Sequence, residues 1–360
     1  MTETLNYANP SEKTQPAIEI LHDKLEPLPA TRQLGVALLG LGEYSKTQLA
    51  PALAQTKFCK LAGLITDDLS KTGEWKTRYK IPDNNIYSYD DLENIASNND
   101  IDIIFITAPN ALHKDYVIRA AKAGKHVICE KPMAVTVEEC DEMIAACKTA
   151  GRLLGIGYRL HYEPNNREAA RVGQGKIYGD LTYIHVQHGK PGMSGWRLDK
   201  KLAGGGALMD LGIYCIQAAR YITGEEPVAV MVTSQRGYEA NDPNSVETFL
   251  AWEMQMPNGL VVKAETSYEN DMDLLNIKGE HGWFELSPAF AYNGIKGKTA
   301  TGFLHFPEVN QQALMLDDFA LSVLNNKPAS LPGEMGRQDI KIIRAIYESM
   351  RTGKLIQVGS

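Results

Sequence analysis

Three residues in the 360-residue sequence carry side chains that can hold and move a proton: Lys131, Asp210 and Tyr214. Asp210 and Tyr214 are four residues apart in an apolar helical pattern, so we predict that they lie on one face of a helix. A tyrosine hydroxyl is a weak base near neutral pH, and a nearby lysine ammonium group favours its ionised form. Such residues could orient a hydroxyl group and take up its proton. Each residue alone also fits a structural role, as a solvated loop lysine or as a core tyrosine with a capping aspartate.

A glycine turn near the start of the chain has the features of a phosphate-binding loop. Gly40-Leu41-Gly42-Glu43-Tyr44-Ser45 reads G-x-G-x-x-S, follows an apolar run and precedes a helical pattern. The first glycine permits a tight turn, and the second lets a pyrophosphate approach the backbone at a helix N-terminus. Ser45 replaces the usual third glycine, and a small residue there still allows close packing. We therefore predict a bound dinucleotide at this turn.

The choice between NAD and NADP depends on the end of the second predicted strand, Ile65-Thr66-Asp67-Asp68. An acidic residue at this point accepts hydrogen bonds from the ribose hydroxyls and repels a 2′-phosphate. Thr66 together with Lys71 would instead hydrogen-bond and neutralise that phosphate. Because both options are present, we predict NADP and keep NAD as the alternative.

Strand and helix patterns alternate through the first half of the chain, which predicts an α/β fold with a parallel sheet of the Rossmann type. The ligand-facing edge of such a sheet is formed by the carboxyl ends of its strands. Lys131 follows one of these ends, and Thr107, Pro109, Asn110 and His113 follow another. The predicted strands are Leu34–Leu41, Phe58–Thr66, Ile101–Thr107, Lys125–Cys129 and Leu153–Tyr158, and the predicted helices are Lys71–Tyr79, His113–Ala123 and Val137–Ala150.

The second half of the chain is rich in β-branched and aromatic runs, which predict a large, mostly antiparallel open sheet in an α+β domain. Asn258-Gly259 between two such runs predicts a hairpin. The predicted strands are Leu181–His188, Val228–Ser234, Val246–Met256, Gly259–Ser267, Leu274–Gly279 and Trp283–Leu286, and the predicted helices are Ala207–Tyr221, Leu314–Asn325 and Gly336–Thr352. We divide the chain into an N-terminal arm (1–33), a dinucleotide-binding domain (34–156) and a substrate and oligomerisation domain (157–360).

The composition excludes several classes of protein. A net charge of −7 argues against nucleic acid or an anionic membrane as partner, and no apolar run approaches the length of a membrane span. Five cysteines without metal-binding spacing, and no export signal, predict reduced thiols in the cytoplasm. His185 and His188 are three apart in a predicted strand and would face opposite sides, so we predict no metal site there.

Several motifs occur together in one chain. They are G-L-G at Gly40, A-P-N-x-L-H at Ala108, A-G-K-H-V at Ala123, C-E-K-P-M at Cys129, G-Y-R at Gly157, W-R-L at Trp196 and G-G-G-A-L-M-D-L-G-I-Y at Gly204. In this combination the chain resembles the glucose–fructose oxidoreductase branch of the Gfo/Idh/MocA family, from Leu34 to the C-terminus.

The resemblance implies that Lys131 orients a sugar hydroxyl, that Tyr214 acts as acid and base, and that Asp210 assists. Many relatives have histidine at the position of Tyr214, and tyrosine points to the branch that holds NADP tightly and transfers hydride from one sugar to a second. The implied cofactor contacts are Gly40, Leu41, Gly42, Tyr44, Ser45, Thr66, Lys71, Tyr89, Thr107, Pro109, Asn110, His113, Glu130, Lys131, Arg159, Trp196 and Arg197. The implied substrate contacts are Lys131, Tyr158, Arg159, Tyr162, Asp210 and Tyr214.

Other functions stay open at this stage. The chain could be a sugar dehydrogenase that releases its cofactor, or an NAD(P)-binding sensor without catalytic activity. Glycosidase chemistry through transient oxidation is known for some relatives. The family pattern also implies a homodimer or homotetramer formed through the open C-terminal sheet.

Overall fold

A computed structural model describes residues 32–242 and 244–359 and contains two sheets. The predicted arm, residues 1–33, therefore lies almost entirely outside the described residues. The strands are β1 (Leu34–Leu39), β2 (Cys59–Thr66), β3 (Ile86–Ser88), β4 (Ile103–Ile106), β5 (His126–Cys129), β6 (Leu154–Ile156), β7 (Leu181–Gly189), β8 (Ala229–Arg236), β9 (Phe249–Gln255), β10 (Val261–Ser267), β11 (Met272–Gly279), β12 (Gly282–Leu286), β13 (Gly297–Thr299), β14 (Gly302–Phe303) and β15 (Ile356–Gln357).

The helices lie between and around these strands. They are α1 (Ala50–Leu53), α2 (Thr72–Tyr79), α3 (His113–Lys122), α4 (Val137–Thr149), α5 (Pro164–Gln174), α6 (Lys200–Ala203), α7 (Ile213–Thr223), α8 (Gln311–Leu324) and α9 (Gly333–Thr352). A π-helical turn leads into α1 at Ser45–Leu49, and another leads into α7 at Leu208–Gly212.

The first sheet has six parallel strands in the order β3-β2-β1-β4-β5-β6. All six residues of β1 and all four of β4 are buried, as expected for strands covered by helices on both faces. From β1 to β3 successive strands are added toward one edge of the sheet, and from β4 to β6 they are added toward the other edge, so the order switches between β1 and β4. In a doubly wound sheet, this switch point is where the strand ends leave a crevice for a ligand.

The second sheet has nine strands in the order β14-β13-β12-β11-β7-β10-β9-β8-β15. Its pairs are antiparallel except β7 with β10, which run parallel, so the predicted mostly antiparallel sheet is confirmed. β9 and β10 are joined at Asn258-Gly259, the predicted hairpin, where Gly259 has a φ of 87°. One strand, β7, therefore pairs with strands far along the chain and forms the centre of the sheet.

The C-terminal part of the chain returns to the first sheet. Leu331 accepts a hydrogen bond from the amide of Ile156 in β6, and the following α9 packs on α4. The buried carboxylate of Asp339 in α9 accepts hydrogen bonds from Tyr158, Gln217 and Arg220. These bonds tie the end of β6, α7 and α9 together behind the crevice.

Some elements differ from the sequence prediction. The first strand ends at Leu39 instead of Leu41, because Gly40 already turns the backbone with a φ of 95°. The prediction missed β3, β13, β14 and β15, which have two or three residues each and are too short for an alternating pattern. It also missed α5, a polar helix in which Pro164 occupies the first position and Glu163 caps the amide of Asn166.

One apolar segment, 200–223, is long enough to be compared with a membrane span. Of its most apolar window, 78% is buried inside the protein. It contains α6, the π-helical turn and α7, so its apolar residues belong to the core around the crevice.

Candidate active site

A cleft of about 640 Å³ lies where the ends of β4 and β5 face the second sheet. This volume is in the range of small-molecule sites. Its lining residues come from both halves of the chain and include Tyr44, Thr107, Asn110, His113, Glu130, Lys131, Arg159, His188, Trp196, Arg197, Asp210, Tyr214, Asp273 and Tyr292. Most of the sequence-predicted site residues therefore lie together.

Lys131, Asp210 and Tyr214 form the centre of this cleft. The Lys131 Nζ atom donates a hydrogen bond of 2.7 Å to the backbone oxygen of Asp210 and lies 3.5 Å from its Oδ1. The same atom lies 4.6 Å from the centre of the Tyr214 ring. The π-helical turn before α7 carries Asp210, and the first turn of α7 carries Tyr214. The structure thus brings together three residues that are up to 83 positions apart in the sequence.

Two further groups hold the Asp210 carboxylate. Arg197 Nε donates to Oδ2 at 2.9 Å, and the Tyr268 hydroxyl donates to the same oxygen at 3.3 Å. Burial on its own raises the pKa of Asp210, but Lys131 and Arg197 outweigh it and the pKa lies below the usual range. Burial likewise lowers the pKa of Lys131, and Tyr214, Asp210 and Glu130 outweigh it, so this pKa is raised. Asp210 and Lys131 therefore remain charged near neutral pH.

Arg159 forms one wall of the cleft. Its guanidinium donates to the backbone oxygens of Phe290 at 2.6 Å and Ala291 at 3.0 Å, and its Cζ lies 4.3 Å from the centre of the Tyr292 ring. The Tyr214 ring is 5.6 Å from the same carbon. Arg159 therefore adds a second positive charge near the Tyr214 ring, besides that of Lys131.

His188 at the end of β7 also touches Tyr214, with the ring centres 5.0 Å apart in an edge-to-face arrangement. Burial, with Lys131 and Arg159 nearby, lowers the pKa of His188 to about 3. The ring is therefore neutral near pH 7. Its buried Nδ1 has no hydrogen-bond partner among the described residues. An uncharged imidazole with a free nitrogen is well suited to contact a hydroxyl group in the cleft.

The glycine turn borders the cleft through Tyr44 and through its hydrogen-bond partner Thr107. The Ser45 hydroxyl donates to the Gly40 oxygen at 2.6 Å and lies 3.0 Å from the Thr107 hydroxyl, which itself donates to the Gly40 oxygen at 2.8 Å. A Cβ atom at Gly40 would come within 2.7 Å of that Thr107 hydroxyl. Ser45 is 1% exposed and its hydroxyl bonds within the turn, so it stabilises the turn. Its direct contact with a cofactor stays a prediction.

The residues present at this turn fit a dinucleotide. A Cβ atom at Gly42 would have no described atom within 4 Å, so this side of the turn is open to a ligand. The buried Oε1 of Glu130 has no partner among the described residues. Burial raises the pKa of Glu130 to about 7. An open backbone at a helix N-terminus and an unpaired carboxylate oxygen suit the phosphates and the ribose hydroxyls of a cofactor.

His113 plays a supporting part. It is fully buried, with Nδ1 2.9 Å from the Pro132 oxygen and Nε2 2.8 Å from the Ala108 oxygen. It therefore connects the segment after β4 with the segment that carries Lys131. Asn110 donates to the Ala203 oxygen at 2.8 Å and so joins the first sheet to the glycine run before α7.

The residues that were predicted to read the 2′ position lie at the end of β2. Thr66 is 1% exposed, and the Lys71 Nζ lies 3.7 Å from carboxylate oxygens of both Asp67 and Asp68. Tyr89 packs on the Tyr116 ring at a centroid distance of 4.9 Å. The Lys71 ammonium group therefore lies near two exposed carboxylates. The residues that would bind the phosphate of NADP and those that would favour NAD are both present at the end of β2.

Two predicted substrate contacts do not line the main cleft, although Tyr158 lines a small neighbouring cavity together with Lys131 and Tyr214. The Tyr158 hydroxyl donates to Asp339, and the Tyr162 hydroxyl donates to Asp318 at 2.8 Å. Both rings are buried and neither lines the main cleft. These tyrosines belong to the packing between α8, α9 and the end of β6, which their position after a strand did not reveal. Three residues that the sequence did not predict as part of the site are His188, Tyr268 and Tyr292, which come from strands or loops far along the chain.

Comparison with known proteins agrees with this arrangement. Residues 34–158 match the family model GFO_IDH_MocA, described as an oxidoreductase family with an NAD-binding Rossmann fold, and residues 167–285 match the GFO/IDH/MocA C-terminal domain. The crystal structure of the aldose–aldose oxidoreductase from Caulobacter crescentus, complexed with glycerol, has a TM-score of 0.86 and 36% identity. That alignment covers 91% of this chain and all of the other.

A curated relative and a more distant structure extend the comparison. The D-xylose 1-dehydrogenase [NADP(+)] of Haloarcula marismortui is 27% identical over 336 residues, which are 89% of this chain and 92% of the relative. A levoglucosan dehydrogenase in complex with NADH and levoglucosan shares the fold with a TM-score of 0.76 at 22% identity, over 91% of this chain and all of the other. The two domain matches and the coverage of the Caulobacter relative show that the chain belongs to the Gfo/Idh/MocA oxidoreductase family.

Proposed function

We propose that the protein is an NADP-dependent sugar oxidoreductase of the glucose–fructose branch, which keeps its cofactor bound while one sugar is oxidised and a second is reduced. The observation that carries the proposal is the contact of Lys131 with both Asp210 and Tyr214 in a cleft that the glycine turn borders through Tyr44. The relatives named above as an aldose–aldose oxidoreductase and a xylose dehydrogenase support sugars as the substrate class. Both relatives are named as enzymes that oxidise or reduce sugars, which is a broader activity than the one proposed.

The residues of the cleft suit the two transfers that oxidation of a sugar CH–OH group requires. A nicotinamide cofactor, when bound, accepts a hydride from the sugar carbon or returns it. The Tyr214 oxygen, as a phenolate, takes up the hydroxyl proton as the C–H bond breaks, and the resulting phenol returns that proton when a sugar is reduced. Lys131 orients the hydroxyl and stabilises the negative charge that develops on its oxygen. Asp210, held by Arg197, keeps the lysine charged and in place.

The test is the absorbance near 340 nm of the purified protein without added cofactor. We expect a rise on addition of an aldose and a return to the starting value on addition of a second carbonyl sugar. A rise only after free NADP or NAD is supplied would favour a dehydrogenase with exchangeable cofactor, which is the second candidate. No reduction of either coenzyme by any aldose would contradict both and leave a sensor role.

The preference for NADP rests on Thr66 and Lys71 at the end of β2. We predict that Lys71→Ala weakens NADP binding about tenfold and leaves NAD binding unchanged, because a charged hydrogen bond to phosphate is lost. Titration of the purified protein with each coenzyme measures both constants. Lys76→Ala is the matched control. Lys76 lies in α2, is also half-exposed, and pairs with Asp83 in the turn that follows the helix. An equal loss for NAD and NADP would contradict the assignment.

Assembly and compartment are also proposals. The solvent-facing side of the nine-stranded sheet would join a second copy, in a dimer or tetramer, and sedimentation as a monomer would contradict this. All five cysteines are buried and free, which supports a reducing compartment such as the cytoplasm. Recovery of the native protein outside the cytoplasm on cell fractionation would contradict that location.

A further inference from the structure

The glycine run Gly204-Gly205-Gly206 ends on a buried carboxylate, that of Glu247, which is 1% exposed. Glu247 lies just before β9 and accepts hydrogen bonds from the Gly206 amide at 3.1 Å and the Leu208 amide at 2.9 Å. The Tyr347 hydroxyl, from α9, donates to the same carboxylate at 3.0 Å. These three donors come from two separate parts of the chain.

The Leu208 amide begins the helical segment that carries Asp210 and Tyr214, and the Gly206 amide lies two residues before it. The first amides of a helix have no partner within the helix and need an acceptor from elsewhere. Ala207, the residue at the N-cap position, provides no side-chain cap. Glu247 therefore acts as a cap from a distant part of the chain, and its negative charge also suits the positive end of the helix dipole.

The close approach explains why two residues of the run, Gly205 and Gly206, are glycines. A Cβ atom at Gly206 would lie 2.1 Å from the Glu247 backbone oxygen, and one at Gly205 would lie 1.9 Å from the Tyr347 hydroxyl oxygen. A real Cβ atom does not tolerate either distance, so only glycine lets the run sit against these two residues. Gly205 and Gly206 therefore pack directly against Tyr347 and Glu247.

Hydrogen bonds connect this contact region to Asp210 and Lys131. The Tyr268 hydroxyl lies 3.2 Å from the Gly206 oxygen and 3.3 Å from Asp210 Oδ2. The Asp210 amide donates to the Gly206 oxygen at 3.3 Å, and Lys131 donates to the Asp210 oxygen. A shift of the backbone at Gly206 therefore moves the Asp210 backbone oxygen, which accepts the hydrogen bond from Lys131.

We propose that Glu247, supported by Tyr347, is a positioning residue for the reaction, because it fixes the first turn of this segment and thereby the distances between Lys131, Asp210 and Tyr214. This inference rests on the proposed function for its kinetic effect, but not for its structural effect. Burial raises the pKa of Glu247, and the amides of Leu208 and Gly206 and the Tyr347 hydroxyl oppose that rise.

The test compares Glu247→Gln with Glu163→Gln. Glu163 is an equally suitable control, because it is also a buried carboxylate, 5% exposed, that caps a helix of the same half of the chain away from the cleft. We expect Glu247→Gln to lower kcat about tenfold, since small misplacements of catalytic groups cost large factors in rate. KM and cofactor affinity should change less than kcat. Tyr347→Phe should give a smaller loss of kcat in the same direction.

A second measurement makes the result independent of activity. Amide hydrogen exchange, followed by mass spectrometry, should be faster in the peptide 206–214 of Glu247→Gln and Tyr347→Phe, and unchanged there in Glu163→Gln. Equal exchange in all variants overturns the inference, even for a protein without sugar turnover. Faster exchange with an unchanged kcat limits Glu247 to a structural role and also overturns it. Absence of turnover in the unaltered protein contradicts only the proposed function.

Discussion

Replacement of Tyr214 by phenylalanine is expected to lower sugar turnover by about 10³-fold, within the range attributed to positioned acid–base groups. The ring of Tyr214 packs against His188 and Phe290, and phenylalanine preserves these contacts. Only the phenol oxygen that takes up and returns the proton is lost. Lys131 and Asp210 remain paired, so the positive charge beside the substrate is unchanged.

The measurement is the rate of coenzyme reduction by an aldose, together with coenzyme affinity from a binding titration. Affinity should stay the same, because Tyr214 is not one of the predicted cofactor contacts. Tyr221→Phe is the matched control: Tyr221 is in the same helix, and its hydroxyl bonds to Asn166 at 2.6 Å outside the main cleft. Unchanged sugar oxidation in the Tyr214 variant would show that another group moves the proton.

Removal of the charge at Lys131 should have the second largest effect. We expect Lys131→Met to lower kcat/KM by about 10²–10³-fold, the loss typical for removal of one group that stabilises developing negative charge. Asp210 keeps its bonds from Arg197 and Tyr268, so its carboxylate is not left unpaired and the fold should persist. The loss should therefore appear in kinetics more than in stability.

Strand β5 offers a matched control for this variant. Lys125 precedes β5, as Lys131 follows it, and is also buried, with its Nζ donating to the Asn98 and Ile101 oxygens. Lys125→Met removes a buried ammonium group at the opposite edge of the sheet. We expect it to lower the free energy of unfolding and to leave kcat/KM close to that of the unaltered protein. Comparable kinetic losses in both variants would indicate a general loss of structure and contradict the role of Lys131.

Much of the fold could be predicted because it depends on local patterns. The apolar runs of β1 and β4 are buried on both faces, and the Asn258-Gly259 turn specifies its hairpin. The short edge strands could not be predicted, because their hydrogen bonds come from neighbours and not from their own two or three residues. The parallel pairing of β7 with β10 was equally hidden, since it joins segments about 80 residues apart.

For the site, the sequence by itself determined the features that follow from strand ends and helix spacing. These are the glycine turn, Lys131 after β5, and Asp210 with Tyr214 on one helical segment. Only the tertiary structure decided which polar side chains face the cleft. It directed Tyr158 and Tyr162 to carboxylates, and it brought His188 to Tyr214 and Tyr268 to Asp210. The physical reason is that the direction of a side chain after a strand depends on which buried partner satisfies its polar atoms, and these partners are contributed by distant segments.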